Sequence, residues 1–374
     1  MAVIAFDLVT GRMVTRVAAS AWSWTRELSK VGTFEAKVTD TDAALPQRLW
    51  ENTRPWRTVL VDADWTNHPD GRGIDAHASG VVHSRNFDIT NATLTCDGFG
   101  AVFSKLLVIS AALRDTEVMG QIIDHDAEDV VVPQEWMVHV SGSTGDMIRE
   151  LVELALKWQS LPVILPDPQG GDQYRDYYGT DLALVSDRID DIAGLESGSE
   201  WSWVPQIIDG RLFHRLDIGS PELVPQHHRI DATLDKVPVT EVTLDESGAD
   251  MATDVWASGG KQDDKILISR ATSSVLTSQG WPRLMAANTA HQSVSEISTL
   301  AAHAATDARK GAAPSQVFSF KVRRDFRDVT PGDWIDLKWQ SWFMPEARWW
   351  QLKVLQVSGD EGEWLTIRAR ERVA

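Results

Sequence analysis

"VTPGDWIDLKWQSWFMPEARWWQLKV", residues 329–354, holds five of the chain's 17 tryptophans: Trp334, Trp339, Trp342, Trp349 and Trp350. Pro331-Gly332-Asp333 reads as a turn, and the residues after it alternate as a strand does. On a strand, Trp334, Asp336 and Lys338 share one face while Leu337 takes the other. The neighbours Trp349 and Trp350 must then point to opposite faces, so at most one of them enters a given core. Half of the cluster is expected to be core. The other half, with Arg348, is expected at a surface where Trp and Arg carry contact energy. Trp334, Trp339, Trp342, Arg348, Trp349 and Trp350 are therefore the candidate interface residues. The alternative is a carbohydrate-binding adhesin, in which exposed Trp rings stack on cell-wall sugars.

Working outward, the rest of the chain keeps to short alternating runs at both ends. "VIAFDLV" and "MVTRVAA" flank Thr10-Gly11 as a hairpin; "GTFEAKV", "TVLVDADW", "ASGVVHSRNFDI" and "ATLTCDGF" continue the pattern. Turn residues separate them at the intervals of sandwiches and barrels. Helical periodicity begins only after residue 110. "TEVMGQIIDHD" opens at Thr116, "STGDMIRELVELALKW" is capped by Ser143 or Thr144, and "TDLALVSDRIDDIAGL" starts at Thr180 and stops at Gly194. "EWSWVPQIIDGRLFHRLDIGSPEL" is a hairpin about Asp209-Gly210. From 237 the strands return, interrupted by one helix at about 293–310 whose Ser293 and Glu296 have capping-box spacing. The fold class is thus mainly β with an α+β insert. Its domains are 1–110, an acidic 111–236 and 237–374.

Charge divides the same way. Of a net −18, residues 1–110 carry −1, residues 111–250 carry −19 and residues 251–374 carry +2. Clustered Lys and Arg for duplex binding are missing. No run reaches the ~20 apolar residues of a membrane span, so no membrane insertion is expected. "MAVIAFDLVTG" lacks a secretory leader's basic and apolar regions. The single Cys96, in the strand-like "ATLTCDGFG", excludes an intrachain disulfide and a multi-cysteine metal site and reads as a buried structural thiol.

Motifs for chemistry are missing. There is no P-loop, dinucleotide fingerprint or H-E-x-x-H, and "SGSTGD" (141–146) is a helix start rather than a nucleophile elbow. "DHDAED" (124–129) lacks the calcium-loop pattern and reads as a solvated acidic helix end. His227 and His228 in "QHHRID" point apart on a strand and read as surface or loop residues, a poor chelate. No catalytic, cofactor-binding or metal residue is assigned, no cofactor is expected, and the chain is expected not to be an enzyme.

Three phrases carry a resemblance. "FDLVTGRMVTRVAASAWSWTRELSKVGTFEAKV" resembles the opening of siphophage tail-hub proteins. "GSEWSWVPQIIDGRLFHRLDIGSPEL" (198–223) is similar to the mid-chain hairpin of minor tail proteins of actinobacterial phages, and "DVTPGDWIDL" (328–337) to their C-terminal turn and strand. The resemblance implies a Tal-like baseplate or tail-tip hub, located at the virion tail tip. Such hubs have two β-barrel domains that form a pseudo-sixfold ring in a homotrimer, with the insert projecting outward. The implied partners are further copies of the chain, the distal tail protein ring, the tape-measure protein and tip or receptor-binding proteins, with transient contact to phage DNA during ejection. Some relatives continue into a fibre or peptidase. Here the sequence ends at Ala374 after its last strand, and a wall hydrolase within it is not expected.

Overall fold

The computed structural model describes residues 2–39, 45–68, 71–115, 134–195, 198–234, 236–262, 265–289, 294, 297–324 and 329–371. The expected helix at 116–126, the acidic run 124–129 and the Ser293/Glu296 capping box lie outside them. The chain is mainly β and divides into two compact units, Met1–Glu241 with Phe320–Arg368, and Val242–Ser319 with Ala369–Ala374.

The first unit opens with β1 (Ala2–Asp7), β2 (Met13–Val17), β3 (Ala21–Glu27) and β4 (Thr33–Thr39). Helix α1 (Leu45–Asn52) follows, then β5 (Thr58–His68), β6 (Gly71–Phe87) and β7 (Asn91–Asp97). The sequence reading placed no helix before residue 110, and α1 corrects it. Eight residues are too few for periodicity to register, although Pro46 in the first turn is well placed there. The sheet order β3-β4-β7-β6-β5-β1-β2 is antiparallel throughout. It cannot be flat. Four strand spacings of ~4.8 Å separate β3 from β5 in the sheet, yet Trp24 Nε1 on β3 donates to Asp62 Oδ2 on β5 at 2.8 Å. The sheet therefore curls on itself. Fully buried Asp62 also takes Arg324 Nη1 at 3.2 Å, so its charge is paired in the apolar interior.

Over the outer face lie β8 (Met137–Gly142), α2 (Thr144–Trp158), β9 (Val163–Ile164), β10 (Gln173–Tyr178), α3 (Val185–Ala193), β11 (Trp201–Ile208) and β12 (Arg211–Ile218). Ser143 caps α2: its hydroxyl accepts from Asp146 N, and the Asp146 carboxylate accepts from Ser143 N, a reciprocal box. Ile148, Leu151, Val152 and Ala155 form its buried stripe. They join Ile4, Phe6, Val61, Val81, Phe103, Ile192, Leu212 and Leu216 in one hydrophobic cluster. Helix α3 begins at Val185, not Thr180: Gly179–Asp181 is a 3-10 turn and Leu182 adopts left-handed φ 49, which an α-helix cannot contain. The Asp209-Gly210 hairpin is as read, with both residues at positive φ and Ile208 opposite Arg211. Cys96 is buried, and desolvation pushes its thiol pKa up.

After β13 (His227–Asp231), the second unit contains most of β14 (Val239–Ser247), then β15 (Asp254–Gln262), β16 (Lys265–Thr272), the short α4 (Val275–Ser278), β17 (Met285–Asn288), α5 (Ile297–Lys310) and the first half of β18 (Ser315–Arg323). β15 and β16 form a hairpin, with β17 parallel to β15. Leu300, Ala304 and Ala308, spaced four apart on α5, pack on Val255 and Ala257. Gly259 leaves room for this packing: a Cβ there would lie 2.9 Å from Val294 O and 3.2 Å from Leu300 Cδ2.

Candidate functional site

From Phe320 the chain is again part of the first unit, which holds β19 (Trp334–Ser341), β20 (Met344–Asp360) and most of β21 (Trp364–Glu371). β20 pairs with β19 on one side and extends the curled sheet by pairing with β3. The Pro-Gly-Asp turn enters β19. Gly332 has φ +101, and a Cβ on it would meet Leu223 atoms at 3.1 Å. Asp333, with no exposed surface, organises the turn: Oδ2 accepts from Thr330 N at 2.7 Å and Oδ1 from Gln226 N at 3.0 Å.

That second bond draws β13 alongside β19, in parallel, from His227 opposite Trp334 to Asp231 opposite Lys338. Side-chain pairs, each with a carboxylate, hold the seam on both faces. His228 Nε2 lies 3.2 Å from Asp333 Oδ2 on one; on the other, His227 Nε2 lies 3.2 Å from Asp336 Oδ1, and Lys338 Nζ donates to Asp231 Oδ2 at 3.0 Å. The adjacent histidines do point apart, but His228 is a largely buried partner of the turn rather than a surface or loop residue. The Asp231 carboxyl is held below its usual range, first by the Thr233 hydroxyl and also by Lys338. Beneath Trp334, buried Lys353 pairs with Glu200 at 2.9 Å and donates to the Leu223 carbonyl.

The tryptophans divide between the faces as alternation requires. Trp350 is 3% exposed and lies with Leu352, Ile335, Leu337 and Ile230 on the buried face, where Arg348 stacks over its ring from the exposed end. Trp334, on the opposite face, is also buried. Trp349 is 42% exposed and is gripped by two cations, Arg229 Cζ 4.3 Å and Lys338 Nζ 5.8 Å from its ring centre. Trp339 is half-buried.

Trp342 and Phe343 form the two-residue loop between Ser341 and Met344 and are 93% and 54% exposed. Phe343 packs edge-on between two indoles, 5.9 Å and 72° from Trp339 and 5.7 Å and 80° from Trp342. The hairpin thus ends in an aromatic knob. The sequence reading named its tryptophans and missed Phe343, whose signal is its place between two strands with only one other residue. Among the described residues no group of His, Cys, Asp and Glu could hold a metal ion, and no helix is long and apolar enough to cross a membrane.

No protein-family model matches the sequence, and no curated protein was found to match it. Solved structures do match in shape. The 43 kDa tail protein of prophage MuSo2 from Shewanella oneidensis superposes with a TM-score of 0.55 at 10% identity, over 98% of this chain and 97% of that one. The fold is that of phage tail proteins. A tail protein from Neisseria meningitidis MC58 gives 0.50 at 11% identity over 99% and 97%, and prophage tail protein gp18 from Listeria monocytogenes gives 0.50 at 9% over 100% and 95%. At such identities the likeness is one of fold. Within this tail-protein fold, the aromatic knob and the clamped β13–β19 seam are both built by β19 and its two neighbours.

Proposed function

We propose that the chain is a structural virion protein of the tail-tip hub, forming a homotrimeric ring through which the genome passes. The observation that carries this reading is the full-length fold likeness to phage tail proteins, 98% of one chain on 97% of the other. The ring would join the distal tail protein ring to tip or receptor-binding proteins, with the tape-measure protein and phage DNA as further contacts. Residues 1–110 and 237–374 are read as its ring-forming parts and the acidic 111–236 as solvent-facing or lumen-facing. Trp342, with Trp339, Trp349 and Arg348 on the two strands it joins, is read as a contact to a neighbouring subunit; buried Trp334 and Trp350 hold those strands. A solvent-exposed indole of this kind is the usual anchor of an interface hot spot.

The second reading, a glycan-binding adhesin, draws on the same exposed Trp342. Its geometry supports it less, because rings at 72° and 80° to one another do not form one flat sugar platform. Native mass spectrometry and electron microscopy of the purified chain test the first reading, with threefold rings as the expected result. A stable monomer whose Trp fluorescence is quenched by cell-wall glycans would replace it with the second.

A further inference from the structure

The ribbon of β8 and β10 has two unlike faces. The strands pair antiparallel, from Gln173 opposite Gly142 to Tyr178 opposite Met137. Val138, Val140 and Tyr177 face inward and belong to the hydrophobic cluster of the first unit. Alternation therefore turns Tyr174, Asp176 and Tyr178 outward, with His139 opposite Asp176. Tyr174 is 67% exposed and Tyr178 44%, and the side chains of His139 and Asp176 are open to solvent as well.

The outward groups are already arranged. Asp176 Oδ1 accepts from His139 Nδ1 at 2.7 Å, which orients the imidazole. The imidazole in turn lies against the Tyr174 ring, with 5.7 Å between centres and 28° between planes. One face of Tyr174 is thus backed and the other meets solvent. Because an ionised carboxylate only accepts, Nδ1 carries the proton, and Nε2 of the neutral ring is left as an acceptor. Among the described residues, His139 Nε2, Asp176 Oδ2 and the two phenol hydroxyls meet no hydrogen-bond partner. An open aromatic face beside two free acceptors, held in place before any ligand arrives, loses little freedom on binding.

The chemistry of these groups selects the ligand. An anion is repelled by Asp176 and by the −19 that residues 111–250 carry. No group of His, Cys, Asp and Glu among the described residues could hold a metal ion. An organic cation calls for several rings around it, whereas Tyr174 and Tyr178 stand four residues apart, about 13 Å along the strand. The core of a protein interface is depleted of charge, and here a carboxylate stands between the two rings. A neutral saccharide satisfies every one of these conditions. Its C–H face lies on the open side of Tyr174, and its hydroxyls donate to Asp176 Oδ2 and His139 Nε2.

We propose that Tyr174, Asp176 and His139 form a subsite for one pyranose unit of a neutral glycan, and that Tyr178 takes a sugar further along the same glycan. The site shares no residue with the aromatic knob of the β19–β20 hairpin and does not depend on ring assembly, so the hub reading and the glycan site can fail separately.

Saturation-transfer-difference NMR of the full chain tests the site, with maltotriose, cellotriose, mannotriose and chitotriose as probes. Each is used at about 10 mM, roughly tenfold above a millimolar dissociation constant. At least one trisaccharide is expected to receive saturation. Y174A and D176A should each weaken its binding by about tenfold or abolish it, Y174F should keep it, and Y178A should weaken it less. W342A should leave it unchanged. All of these side chains are exposed, and circular dichroism confirms that each variant is folded. Saturation of none of the four probes overturns the site, as does saturation that is equal in wild type and Y174A. A signal lost only in W342A also overturns it and assigns glycan binding to the hairpin instead.

Discussion

His228 and Asp333 lie 105 residues apart in sequence, and the imidazole Nε2 stands 3.2 Å from a carboxylate that no solvent reaches. The same carboxylate holds its own turn and the strand before His228, so one side chain fixes both the entry to β19 and the lateral position of β13. Replacing it strands two backbone donors and a histidine. D333A is expected to lose roughly 3 kcal/mol or more of stability in urea unfolding, because hydrogen bonds to a charged acceptor are worth about 1.5–3 kcal/mol each. H228A should lose less, since the two backbone N–H groups keep their acceptor.

The tryptophans of the hairpin should separate cleanly by substitution. W350A removes a fully packed indole and is expected to cost about 3–5 kcal/mol. W342A deletes an indole that is 93% exposed and should change stability by no more than about 0.5 kcal/mol. Under the proposed function only W342A lowers ring formation in a folded protein, which native mass spectrometry reads directly.

Acid should weaken the first unit through His214. Its ring is fully buried, stacked 3.8 Å from Phe99, with Nε2 2.9 Å from Ser79 Oγ, and burial pushes its pKa down to about 3. The unfolded chain takes up that proton near pH ~6.5. The folded pKa is therefore depressed, the stability is fully present above pH ~6.5, and it drains away as pH falls toward 3. The slope reaches at most ~1.4 kcal/mol per pH unit. Chemical denaturation of wild type and H214Q across this window should show a difference that shrinks as pH drops. Parallel curves would remove His214 as the cause.

Cys96 is expected to be inert in the native state. A thiol-specific chromogenic reagent should titrate it only after denaturant is added, because a buried thiol with a raised pKa offers neither access nor thiolate.

Much of this architecture was legible in the residues. Alternation located β1, β2, β4 and β5, the Asp209-Gly210 pair gave its hairpin, and Ser143 gave the start of α2, because each signal is local. Trp349 and Trp350 took opposite faces because the pleat leaves no other choice. What stayed hidden depends on distant partners. Nothing near His228 announces Asp333, and a parallel pairing such as β13–β19 leaves no turn between its strands to read. Helix α1 was too short for its period, and left-handed Leu182 broke a pattern that propensity alone would have continued. Phe343 escaped because Trp-Phe is not turn chemistry; packing among three rings stands in for the usual glycine or asparagine.

The dependence of the first unit on residues 320–368 sets an order on its making. β3 lacks its β20 neighbour, Asp62 lacks Arg324 and β13 lacks β19 until those residues leave the ribosome. A chain that has synthesised only its first 241 residues holds two open strand edges and a buried carboxylate without its counter-ion, so it cannot complete this unit however long it waits. Residues separated by up to 339 positions must find one another, which makes folding slow. Surfaces meant for other copies of the chain are consequently not offered in finished form until residues 320–368 of each copy have been translated.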